Sequence, residues 1–181
     1  MDIPIVHISG GDITEGAIDD QIRHAVTKLA NLHFPGSAES AARLLQMGEA
    51  PERVILVGEL GLDSFTRSPR LDRTALAQDL GLDPKRPWAL LTWHPETKAG
   101  LEYNIQAAHD IVNALLEARE WPASATAPKG RLQCLATYAN ADYGGREINE
   151  FLRKTARLHP DNFIVRDNLG QARYISMLHE A

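Results

Sequence analysis

Apolar and polar positions follow two periods along this chain, and the first to appear is that of a strand. Ile3-Pro4-Ile5-Val6-His7-Ile8 is short, β-branched and followed by Gly10 and Gly11, the pattern of a strand covered on both faces in a parallel sheet. A helical period comes next: Ile18, Ile22, Ala25, Val26 and Leu29 fall on one stripe, with Asp19, Asp20, Arg23, His24, Thr27 and Lys28 around the remainder. A brief second strand spans 31–34, Pro35-Gly36 ends it, and Ser37 is a good N-cap for a helix through Met47 that Gly48 closes. Val54-Ile55-Leu56-Val57 reads as a third buried strand. The pattern lapses over 60–70. It resumes with a helix over 71–80 stopped by Gly81, strands over 88–93, 132–137 and 163–165, and helices over 101–119, 146–158 and 170–178. Strands alternating with helices across short connections predict β-α-β units and parallel sheets, an α/β protein.

The strands group into residues 1–63 and 87–181, with a connection and a helix over 64–86. Each group holds about three strands, fewer than the five or more of most doubly wound sheets, and the sequence opens in a strand and stops in a helix. The expectation is a middle portion of a longer protein.

Composition narrows the function classes without selecting one. At 44% hydrophobic and 24% charged residues over 181 positions the chain is ordinary for a globular protein. A formal net charge of -5 provides no basic field for phosphates, so no nucleic-acid partner is expected. No apolar run approaches the roughly 20 residues of a membrane helix, and the first residues lack the order of a signal peptide. The single cysteine, Cys134, forms no intramolecular disulfide and fits a reducing, cytoplasmic setting. His33, His109, His159 and His179 are scattered and read as solvated.

Candidate chemistry gathers after the first strand, where Gly10, Gly11, Asp12, Glu15, Gly16, Asp19 and Asp20 crowd eleven positions. Ligands of open α/β sheets bind at the carboxyl ends of strands, which places His7, Gly10, Gly11 and Asp12 within reach of one. On the following helix Asp19 and Arg23, and Asp20 and His24, stand four residues apart, which is also the spacing of surface ion pairs; Asp12 has the alternative role of a cap. His94-Pro95-Glu96-Thr97 sits where a catalytic loop would follow a strand, and equally where a turn would. Residues 138–146, with Asn140, Asp142 and Arg146, could cradle a nucleotide or start a helix. His7, Asp12, Asp19 and His24 are metal-ligand types without a ligand spacing, so neither metal nor cofactor is expected.

Taken in order, HISGGDITEGAIDDQIRHAVTKLANLHF, GEAPERVILVGELGLD, LTWHPET and YANADYGGREI resemble the UDP-N-acetylglucosamine 2-epimerases, and within them the hydrolysing enzymes of sialic-acid-type sugar synthesis. The resemblance implies a GT-B-like fold of two Rossmann-like domains with a UDP-sugar in the cleft between them. It implies further that residues 1–63 are the second half of the first domain and 87–181 the first half of the second, with both ends lacking. The reaction implied is elimination of UDP from UDP-N-acetylglucosamine followed by hydration to N-acetylmannosamine. By motif position Asp12 and Asp19 are the implied acid/base carboxylates, with Asp12 standing where the family has glutamate, and His94 the histidine near the leaving diphosphate. His7, Asp20, Arg23 and His24 are the implied support, and Gly10, Gly11, Asn140, Asp142 and Arg146 the implied substrate contacts. The resemblance is compatible with a homo-oligomer. Three alternatives remain: the non-hydrolysing epimerase, a catalytically inactive remnant or binding module, and a GT-B glycosyltransferase, which would leave the paired carboxylates unexplained.

Overall fold

The computed structural model describes residues 3–67, 69–118, 130–139 and 144–180. The chain divides after Arg67 into two compact units. The first contains β1 (Val6–Ile8), α1 (Asp19–Leu29), β2 (Leu32–Phe34), α2 (Ala38–Gln46) and the single-turn α3 (Asp63–Arg67). β1 and β2 pair in parallel with His7 opposite His33. α1 begins at Ile18 without a side-chain cap, and Asp19 and Asp20 complement the positive end of its dipole instead. At α2 the expected cap is present: the Ser37 hydroxyl accepts the Ser40 N–H at 3.1 Å.

Burial in this unit departs from the pattern of its apolar residues. His7 is buried, whereas Val6 and Ile8 are 49% and 51% exposed, because successive strand residues face opposite ways and the side turned toward α1 is the one that carries the histidines. The α1 stripe is likewise exposed at Ile18, Ile22 and Leu29. Residues 54–57 run beside β2, with Ile55 N–H donating to the His33 carbonyl at 2.9 Å and Val57 N–H to that of Pro35 at 3.2 Å. They form one parallel bridge, Val54 to His33, rather than a strand, and Ile55, Leu56 and Val57 are exposed. Two paired strands about 4.8 Å apart make a strip no wider than one helix, so among the described residues one face of it has no cover.

The second unit is a fuller α/β layer structure. α4 (Arg73–Leu80), β3 (Trp88–Thr92), α5 (Leu101–Glu117), β4 (Gln133–Thr137), α6 (Gly145–Leu158), β5 (Phe163–Arg166) and α7 (Gly170–Glu180) follow in order. The strands form a parallel sheet in the order β3-β4-β5. The alternation of β4 supplies both cores: Leu135 packs with Leu76, Leu80, Trp88 and Met177 on the α4/α7 side, while Cys134 and Ala136 pack with Val112, Ile148, Leu152 and Phe163 on the α5/α6 side. The helix expected in the connection, now α4, thus belongs to this unit's core. Burial pushes the Cys134 thiol up to about 12, which leaves it an inert packing group.

Candidate acid/base site

The turn after β1 is shaped by what stands against it. A side chain at Gly10 would meet the His7 ring, 2.8 Å from Nδ1. Gly11 has φ +83, and a Cβ there would collide with the carbonyl oxygen of Ser40 in α2. Both glycines therefore allow close packing within the unit. Ser9 adopts φ 56, rare for a residue with a side chain, and its N–H is held by the Phe34 carbonyl at 3.0 Å.

This turn delivers Asp12 to a pair of helices. Its Oδ1 accepts from the Ser40 hydroxyl at 2.5 Å, and its carbonyl oxygen accepts from Arg23 Nη1 at 3.1 Å. The same Arg23 nitrogen donates to Thr14 Oγ1 at 2.9 Å, and Arg43 donates to the Gly11 carbonyl. The helical spacing of Asp19 with Arg23 thus does not produce an ion pair, because the tertiary turn offers Arg23 better-placed acceptors. Asp19 is exposed, and its carboxylate has no hydrogen-bond or ion-pair partner among the described residues. Asp20 Oδ1 accepts the Thr14 N–H at 3.4 Å, and His24 Nδ1 is buried without a described partner.

His7 anchors the inner wall. Its Nδ1 lies 3.3 Å from Thr27 Oγ1, and the Thr27 hydroxyl donates its one proton to the Arg23 carbonyl at 3.1 Å. His7 must then be the donor from Nδ1, which leaves Nε2 as the lone-pair nitrogen of the neutral ring. Burial, reinforced by His33, Arg23 and His24 and opposed by Asp12, lowers the His7 pKa from the ordinary 6.5. His33, one of the four histidines expected to be solvated, is wholly buried instead; its ring lies 6.1 Å from that of His7 and its Nε2 donates to Glu49 at 3.2 Å. Strand register explains the difference, since position 33 is forced to the same face as position 7. The hydrogen bond from Lys28, at 2.6 Å, is the main reason the Glu49 carboxyl lies below its ordinary range.

A lowered imidazole pKa has a definite consequence for stability. Above pH 6.5 folded and unfolded chains both hold His7 neutral, and its contribution is complete. As pH falls through 6.5 the unfolded chain takes up the proton first, so stability declines until the pH reaches the lowered folded value. The urea midpoint of the first unit is expected to fall between pH 7.5 and 5.5, and to fall less in His7→Gln.

In the second unit His94 is exposed in the loop after β3. Buried Asn104 of α5 holds that loop, accepting from Glu96 N–H at 2.8 Å and donating to the carbonyls of Glu96 at 3.0 Å and Gly100 at 3.3 Å. Asn149 of α6 does the same after β4, accepting the Ala139 N–H at 2.9 Å. Arg146 lies on the exposed first turn of α6 and pairs with Glu147 at 2.8 Å; Asn140 and Asp142 lie outside the described residues. Among the described residues no three His, Cys, Asp or Glu side chains cluster as metal ligands would. Ser40, Arg43, Asn104 and Asn149 carried no local signal: each is an ordinary polar position on a helix until the fold brings it to a loop.

The UDP-GlcNAc 2-epimerase of Neisseria meningitidis, solved bound to UDP-GlcNAc, superposes with a TM-score of 0.69 at 15% identity, over 99% of this chain and 46% of that one. The fold is accordingly GT-B-like, with parts of two Rossmann-like parallel-sheet units. The UDP-N-acetylglucosamine 2-epimerase family profile matches residues 1–181, and the chain belongs to that family. The GDP/UDP-N,N'-diacetylbacillosamine 2-epimerase (hydrolyzing) of Campylobacter jejuni is 33% identical over 178 residues, and the UDP-N,N'-diacetylbacillosamine 2-epimerase (hydrolyzing) of Legionella pneumophila 32% identical over 178. These matches use 98% of this chain and 43% of each relative, so the chain spans less than half the length of the curated relatives it matches.

Proposed function

We propose that the chain is the acid/base-bearing part of a hydrolysing nucleotide-sugar 2-epimerase acting on a UDP-linked 2-acetamido sugar, with UDP-N-acetylglucosamine as its substrate. The observation that carries this reading is Asp12, a carboxylate tied to Ser40 at 2.5 Å on a glycine turn after a parallel strand. The hydrolysing outcome is supported by two relatives matched over 98% of the chain, both of them hydrolysing 2-epimerases.

The chemistry needs a base for the weakly acidic C2 proton and an acid for the later addition. In the first half-reaction the C2–H bond gives its electron pair to a C1=C2 double bond as UDP leaves from C1 with the C1–O pair. In the second, water adds its hydroxyl to C1 and a proton returns to C2, releasing the free 2-acetamido hexose. Asp12 and Asp19 are the two carboxylates assigned to these proton transfers, and their surroundings differ, one braced and one exposed, as two roles require. His94 is assigned to the leaving diphosphate, where an imidazolium offsets growing charge.

The apolar surface left exposed on the first unit favours the view that the 181 residues act only as part of a larger structure. The test is a hybrid in which this chain replaces the matching segment of the Campylobacter jejuni relative. Incubated with UDP-N-acetylglucosamine, the hybrid is expected to release UDP and free N-acetylmannosamine, and the isolated chain neither. A UDP-linked epimer as product would establish the non-hydrolysing reaction instead. Turnover confined to UDP-N,N'-diacetylbacillosamine would reassign the sugar, and a folded hybrid without turnover would support an inactive remnant.

A further inference from the structure

We infer that Ser40 is the residue that aims Asp12, through a hydroxyl chain beginning at the N-cap of α2. The inference rests on the reading of Asp12 as an acid/base group. An ionised carboxylate only accepts, so the proton between Ser40 Oγ and Asp12 Oδ1 comes from serine. Ser40 has then no second proton for Ser37 Oγ, 2.9 Å away, and Ser37 must donate to it. Ser37 in turn accepts the Ser40 N–H at 3.1 Å. The order is amide, Ser37 hydroxyl, Ser40 hydroxyl, carboxylate, each bond polarising the next. The length of the last bond, 2.5 Å, is that of a charge-assisted contact.

The same helix fixes the main chain on which Asp12 rides. Arg43, one turn beyond Ser40, donates to the Gly11 carbonyl, and the Ser40 carbonyl occupies the place a Gly11 side chain would need. Arg23 of α1 secures the Asp12 carbonyl at 3.1 Å. Backbone and Oδ1 are thereby committed, while Oδ2 has no partner among the described residues and is the oxygen left for proton transfer. Ser40 touches no reacting atom in this scheme; it is a positioning residue.

Ser40→Ala isolates the role, because the cap of α2 uses the Ser37 hydroxyl and the Ser40 amide, which alanine retains. In the 181-residue protein, three-bond NMR couplings to the Asp12 carboxyl carbon read its χ1. They are expected to report one rotamer in the parent and in Ser40→Thr, and averaging over several in Ser40→Ala. Unchanged couplings in Ser40→Ala would overturn the proposal. Should alanine not fold, Ser40→Cys fills the same space with a weak donor and is read the same way. In the hybrid enzyme Ser40→Ala is expected to lower kcat about 10- to 100-fold, on the scale of a displacement near 1 Å, with KM within about twofold and recovery in Ser40→Thr; parallel changes in kcat and KM without recovery would count against it. If the parent hybrid turns over no nucleotide sugar, the functional reading fails while the couplings still decide the role of Ser40.

Discussion

Asp12→Asn is expected to reduce turnover by the hybrid enzyme about 10²- to 10⁴-fold, the usual contribution of one general acid/base group, equivalent to about 3 to 5 kcal/mol on the barrier. The substitution is nearly isosteric, and the amide oxygen still accepts from Ser40, so the turn keeps the bond that holds it. What disappears is the affinity for a proton. The loss should therefore lie in kcat with KM little changed, since geometry and binding surface are retained. The check is initial rates of UDP release across a range of sugar nucleotide for parent and variant, together with matching thermal midpoints. A variant within about threefold of the parent would remove Asp12 from the proton-transfer scheme and leave it a structural anchor for the turn.

The second large effect is expected at Gly11, and a second glycine with the same φ makes it quantitative. Gly11 and Gly58 both have φ +83, but a Cβ at Gly58 would have nothing within 4 Å, whereas at Gly11 it would fall on the Ser40 carbonyl. Gly58→Ala therefore measures the left-handed conformation alone, about 1 to 2 kcal/mol. Gly11→Ala adds a collision with helix backbone that only a shift of α2 relieves, for a total of about 2 to 5 kcal/mol. A shift of α2 also withdraws Ser40 and Arg43 from the turn, so turnover should fall with stability in Gly11→Ala and hold in Gly58→Ala. Amide exchange in β1 and β2, reporting on the first unit by itself, gives both free energies. Equal losses in the two variants would show that contact with α2 is not what makes glycine necessary at position 11.

These effects turn on contacts that differ in how visible they were along the chain. The alternation of strand and helix was legible because apolar spacing changes from one period to the other, and the Ser37 cap was legible because capping is local. Where the first unit buries its surface was not. Val6 and Ile8 carry the residues of a core strand, yet they are half exposed and His7 and His33 take the inner face, since burial depends on which neighbours a strand finds. Residues 54–57 show the same limit, with strand-forming side chains and main-chain hydrogen bonds to 33 and 35 but no covering layer among the described residues.

The candidate site divides along the same line. Its carboxylates and glycines were marked by their density after a strand, because turns and acid/base groups both demand particular residue types at short range. Local residue pattern set a glycine turn bearing Asp12 after β1, and a helix beyond it with Asp19, Asp20, Arg23 and His24 on its polar side. What each of them holds came from packing. Arg23 turns from Asp19 to the Asp12 carbonyl and Thr14, and Ser40, twenty-eight residues from Asp12, supplies the one bond to its carboxylate among the described residues. The physical reason is range: local rules fix the conformation of a few neighbouring residues, whereas a hydrogen bond between distant positions exists only once helix packing has brought donor and acceptor within about 3 Å.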